Sequence, residues 1–180
     1  MKYSIIIILA LTFSCNKSET KVLNNSYSLD VINDSKKEIL IVQQNKKDHS
    51  KKDIFLNEVS EQNRICSILP TYKKEYVTTY PEIENVYLEA NNIQTEKKGF
   101  RIIIRNTDIC PDIQYLDLSY KASWTIERFG IINTCEDNNA EKYICSENIN
   151  KSIKNLFGEN LEINTKKIKQ LYFNGKSNCK

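Results

Sequence analysis

The chain has 180 residues, of which 40% are hydrophobic, 9% aromatic and 27% charged, and its net charge is only +3. That composition excludes a disordered chain. Its positive side is almost all lysine, with Arg64, Arg101, Arg105 and Arg128 as the arginines, which argues against nucleic acid as a partner, since phosphate and base-edge recognition favour the arginine fork.

The first element is the segment from Met1 to Cys15. Lys2 gives a positive start, Ile5 to Leu11 is an uncharged apolar run, and Thr12-Phe13-Ser14-Cys15 closes it. The run is too short for a bilayer core, which needs roughly 20 residues, and suits a signal-peptide core. Over residues 1–15 alone the chain resembles bacterial lipoprotein signal peptides. Its Phe-Ser-Cys ending is similar to a variant found in some Gram-negative lineages. The resemblance implies removal of residues 1–14 and acylation of Cys15 by more than one palmitate-type chain. At about 0.8 kcal/mol per buried methylene, two or more chains hold essentially permanently. Residues 15–26 would then be a lipidated tether. The expected location is the bacterial cell envelope, lipid-anchored, with the outer membrane favoured, on the periplasmic or surface side. An ordinary secretory signal cleaved nearby is the other reading of these residues.

Residues 27–180 fit a single globular domain, large enough to bury about 68–70% of its unfolded surface. Tyr27, Leu29 and Val31 alternate with polar residues, Asn33-Asp34-Ser35 is turn chemistry and Glu38 to Val42 is strand-like, so a hairpin is expected. Asn45 to Asp53 reads as a solvated loop, and Ile54 to Val59 suits either helix or strand. Tyr72, Tyr76 and Tyr80 share one face, and Val77-Thr78-Thr79 favours strand there. Val86, Leu88 and Ala90 mark one strand, and Phe100, Ile102 and Ile104 mark another. Leu116, Leu118, Tyr120, Ala122, Trp124 and Ile126 alternate without a break, as in one long strand or two joined by a gentle bend. That pattern turns Leu118 and Trp124 into the core and Ser119 and Thr125 away from it. Short polar connections between these strands indicate antiparallel pairing.

Towards the C-terminus Ile149, Ile153, Leu156 and Phe157 form a helical stripe, with Ser146 as its cap and Gly158 at its end. Leu161 to Ile163 looks like a strand, and Lys167 to Phe173 suits strand or helix. The fold class read from these elements is mainly β (α+β): an antiparallel meander or sandwich-like sheet with a C-terminal helix.

Five cysteines follow Cys15: Cys66, Cys110, Cys135, Cys145 and Cys179. In an exported chain they are disulfide candidates, and at least one bond is expected among Cys110, Cys135 and Cys145. The spacing gives no metal ligand set, and the lone His49 sits in a charged loop. Asp137, Asn139 and Glu141 lack the glycine and distal glutamate of a calcium loop. No phosphate loop, dinucleotide fingerprint or nucleophile elbow is present, so no cofactor is expected. Asp108 and Asp112 read as turn residues and Asp117 as part of a polar strand face.

Tyr72, Tyr76, Tyr80 and Tyr87 form the candidate binding face, since tyrosine is enriched where partners dock. By elimination the expected role is a membrane-tethered, non-enzymatic binding or protective module, immunity-like or accessory, with a protein partner in the envelope. The alternative is an envelope enzyme whose carboxylates and tyrosines form a site without a local motif.

Overall fold

The computed structural model describes residues 25–32, 36–69, 85–90, 99–105, 112–133, 144–173 and 178–180. The signal reading, with Cys15, and the tether reading up to residue 24 lie outside them. So do Tyr72, Tyr76, Tyr80, Asp108, Cys110, Cys135 and the 137–141 segment. Asn25 and Ser26, read as the end of the tether, belong instead to the first strand, where they pair with Val42 and Ile41.

The alternating segments build two five-stranded sheets. The first contains β1 (Asn25–Leu29), β2 (Glu38–Gln44), β3 (Lys52–Leu56) and β4 (Arg64–Leu69), joined antiparallel in chain order. The ambiguous Ile54–Val59 segment is therefore strand as far as Leu56 and a bend beyond it. The second is a meander of β5 (Asn85–Ala90), β6 (Gly99–Arg105), β7 (Asp112–Tyr120), β8 (Trp124–Asn133) and β9 (Ile144–Ser152). The chain then forms α1 (Ile153–Phe157), β10 (Glu162–Asn164) and α2 (Thr165–Tyr172). β10 returns to the first sheet and runs parallel to β4. The fold is mainly β with a short C-terminal helix.

One apolar cluster draws on the inner faces of both sheets. Leu40, Val42, Ile54, Cys66 and Ile68 come from the first, and Phe100, Ile102, Leu116, Leu118 and Phe129 from the second. Ile153, Ile163 and Ile168 bring the C-terminal elements into the same layer. Among the described residues no helix is long and apolar enough to cross a membrane.

The unbroken alternation from Leu116 to Ile126 is not one strand or a gentle bend. It crosses a tight reversal at 121–123, where Tyr120 pairs with Trp124 across the hairpin. Period two survives a reversal when the paired residues share a face, so periodicity alone does not show it. A bulge leaves Glu127 between the pairs Leu118–Ile126 and Asp117–Arg128. The extra residue flips the parity, which is why Phe129 and Ile131 continue the core after Ile126. Ser119 and Thr125 do not face solvent as the alternation implied: they are 1% and 8% exposed. Trp124 is half-buried, with its ring edge-on to Phe100 at 5.2 Å between centroids.

The helical stripe begins later than its spacing indicates. Ile149 and Ser146 belong to β9, and α1 starts at Ile153 after Ser152, whose side chain makes no capping bond. β8 needs a partner along its length, and pairing as far as Ser152 outweighs the local helical period. Asn150, at φ 48°, absorbs the irregularity there, a conformation asparagine tolerates well. Gly158 does end the helix, at φ 75°. Lys167 to Phe173 falls mainly in α2, which Asn164 caps by accepting a bond from the Lys167 amide at 3.0 Å.

Cys145 is bonded to Cys179, 34 residues on, and not to Cys110 or Cys135. The C-terminal residues lie antiparallel to the start of β9, with Ile144 and Lys180 exchanging both backbone hydrogen bonds. Cys66 is free and wholly buried, and burial pushes its thiol pKa up.

Two measurements test this architecture. In urea denaturation Leu118→Ala should cost about 2–5 kcal/mol. Ser119→Ala should cost about 1–3 kcal/mol, because it removes a buried hydroxyl donor, and not the roughly 0.5 kcal/mol typical of a surface site. A Ser119→Ala effect within that smaller range would show that the outer face is solvated. Cys179→Ser should lower stability by about 2–4 kcal/mol in oxidised protein and have no effect once the wild type is reduced.

Candidate functional site

Each sheet buries a carboxylate on its outer face. Asp117 is wholly buried and Asp53 is 4% exposed. Their surroundings differ in kind.

Asp117 stands in register between Arg101 on β6 and Arg128 on β8. Arg101 donates from Nε to Oδ1 at 2.7 Å and from Nη2 to Oδ2 at 3.1 Å, and Arg128 donates from Nε to Oδ2 at 2.9 Å. The Arg101 guanidinium lies 4.3 Å from the Tyr115 ring centroid and that of Arg128 lies 6.0 Å from it. Tyr115 can lie there because Gly130 faces it: a Cβ at Gly130 would come within 2.0 Å of the ring. Beside this group Ser119 donates to the bulged Glu127 at 2.5 Å, and Lys121 pairs with Glu127 at 2.7 Å. The bond to Asp117 raises the Arg101 pKa. Both oxygens of Asp117 are engaged by cations. This closed ion network holds β6, β7 and β8 together.

Asp53 has no such partner. Asn45 Nδ2 donates to both of its oxygens at 3.0 Å, and Ser67 Oγ donates to Oδ1 at 2.5 Å. Among the described residues no cation pairs with it. Gln43, its neighbour across the ladder, is 7% exposed, and its side-chain amide makes no hydrogen bond among the described residues. Both line a 220 Å³ recess with Phe55 and Val59. Lys46 and Lys47 line it from the β2–β3 loop, and Glu61 and Arg64 from the β3–β4 side.

Local bonding fixes these walls. Asn45 Oδ1 accepts the backbone amides of Lys47 at 2.8 Å and Asp48 at 2.9 Å, so the side chain that orients Asp53 also shapes the lysine turn. Gln44 binds the carbonyl oxygens of His49 and Lys51 from within the same loop. Lys51 bridges Asp48 and Glu162, tying the loop to β10. The expected solvated loop is thus an ordered turn. Across the recess Asn57, at φ 63°, opens the β3–β4 loop, and Asn63 donates to Glu58 at 2.7 Å. Arg64 pairs with the exposed Glu61 at 3.1 Å.

The predicted site residues do not meet here. Tyr87 lies in β5 by its backbone, His49 is exposed in the loop, and Cys66 faces the core. Gln43, Asn45, Asp53 and Phe55 did not stand out in the sequence. The available signal was an aspartate followed directly by Ile54-Phe55, a charge inside a strand of apolar residues. The alternation places Asp117 on a polar strand face and carries no sign of its burial between two arginines. Among the described residues no three His, Cys, Asp or Glu side chains gather as a metal site. Comparison with protein-family profiles, curated proteins and solved structures finds no match to this chain.

Breaking the Asp117 network should be severe. Asp117→Ala leaves two guanidiniums facing a buried gap and should cost about 3–5 kcal/mol. Thermal denaturation showing less than about 1 kcal/mol would mean that the cluster behaves as a surface ion pair.

Proposed function

We propose that the chain is a lipid-tethered binding or protective module of the bacterial cell envelope, and that the recess of the first sheet is where it binds. The observation that carries this reading is a buried carboxylate, Asp53, oriented by neutral donors and paired with no cation among the described residues, beside the Gln43 amide in one recess. Taking a carboxylate out of water without an opposite charge is costly even where neutral donors bind it. Buried charges are usually paired with an opposite charge, and sites that break a local rule are commonly functional. The lining is mostly polar, with Phe55 and Val59 as its apolar members. Its amide, carboxylate and cationic groups are recognition chemistry. The tether reading comes from residues 1–15, and acylation there would leave the folded part free of any need for membrane-binding surface.

Two experiments test the reading. Cys15→Ala should move the protein out of the membrane fraction or leave an unprocessed precursor. Mass spectrometry of the wild type showing Cys15 unmodified and uncleaved overturns the tether. For the site, the full-length protein in detergent should be titrated with a low-molecular-mass envelope extract while its backbone amide resonances are followed. Shifts should concentrate at residues 43–47, 53–55 and 59–64. Shifts confined to the β6–β8 face, or absent, overturn the recess as the binding site.

A further inference from the structure

We propose that the recess takes a free α-amino acid with an apolar side chain. The inference rests on the recess being the binding site and goes on to name the ligand class. Its electrostatics exclude simpler occupants. A purely anionic ligand would meet Asp53 at the floor, where burial leaves little water to screen repulsion. A purely cationic one would have to pass Lys46, Lys47 and Arg64, three cations on the rim against the single carboxylate of Glu61. A neutral apolar ligand would seal Asp53 and Gln43 from water without giving either a partner, which is the costly outcome. A zwitterion satisfies both signs at once.

The order of groups along the recess refines this to an α-amino acid. Asp53 and the lysine turn adjoin, because Asn45 bonds to both. Negative and positive recognition groups thus sit side by side at one end, as the adjacent ammonium and carboxylate of an α-amino acid require. The ammonium would donate to Asp53 Oδ2, which has only the shared Asn45 amide, and to Gln43 Oε1. The carboxylate would accept from Lys46 and Lys47. Phe55 and Val59 then offer the apolar surface for the side chain. The volume agrees: 220 Å³ is below the roughly 300–1,000 Å³ of pockets for drug-sized ligands.

The test is isothermal titration of the full-length protein in detergent with L-leucine and L-phenylalanine. The controls are N-acetyl-L-leucine, which lacks the ammonium, and L-leucinamide, which lacks the carboxylate. At least one free amino acid should bind, and each blocked derivative should bind about tenfold more weakly or worse, since each loses a charge-assisted contact. Asp53→Asn should weaken binding by about the same factor. Should that variant fail to fold, the double change Lys46→Ala and Lys47→Ala lies on an exposed turn and should also weaken it. No binding of either amino acid, or equal binding of free and blocked forms, overturns the proposal. If neither amino acid binds yet envelope extract still shifts the recess amides, the amino-acid assignment alone falls. If neither does anything, the binding-site reading falls with it.

Discussion

Phe100, Ile102, Leu116, Leu118 and Phe129 on one sheet and Leu40, Ile54, Cys66 and Ile68 on the other share a single dry layer, and the remaining structure follows from keeping it closed. Two sheets whose apolar faces meet need every strand in register, because a slip of one residue would turn the whole apolar set outward. β10 and α2 are recruited by the same requirement, through Ile163 and Ile168. The bulge at Glu127 belongs to it as well. Were Glu127 paired regularly and not bulged, Phe129 and Ile131 would point away from the layer that Leu118 and Ile126 begin.

The outer faces carry the polar groups that the core cannot hold, and the two sheets treat them differently. On β6 to β8 a carboxylate is paired with two arginines over a tyrosine ring, which neutralises the carboxylate and leaves the positive charge in excess. Such a network is more damaging to break than it is stabilising to have, because each partner is costly alone. On β2 and β3 the carboxylate is oriented by neutral donors only. Orientation without neutralisation stabilises the fold less, and it leaves the charge available to something that arrives later.

How far the sequence can be read follows from the range of each interaction. Strand pairs β1–β2 and β5–β6, and the meander beyond them, are visible because period two is a property of neighbours along the chain. The reversal at 121–123 hides because both arms keep the same parity. α1 is shorter than its stripe because the pairing of Asn148 to Ser152 with β8 is a long-range constraint that local spacing does not contain. The cysteines are legible as a set, whereas the Cys145–Cys179 bond depends on the C-terminus lying along β9. The recess is the least legible part. It needs Gln43 and Asp53 opposed across a ladder, two loops closing over them and a bulge near Ile54 and Phe55, and none of these is a local motif.

The recess rim is held by polar contacts, and those of Asp48 and Lys51 titrate. The hydroxyl of Ser50, followed by Lys51, holds the Asp48 carboxyl well below its ordinary value, at about 2. A carboxyl depressed in the folded state favours that state wherever the unfolded group is ionised, above about pH 4. The contribution fades only as pH falls from there through about 2. Lys51, which Asp48 shares with Glu162, is shifted the opposite way by those same carboxylates, chiefly Glu162, so it keeps its charge as pH rises past the ordinary lysine value. Lys51 clamps the turn that presents Lys46 and Lys47 to β10 through Glu162. A clamped turn has already lost the side-chain and backbone freedom that a ligand would otherwise have to remove. On the proposed reading, that preorganisation is what would let a small open recess, with little apolar surface to bury, select by charge.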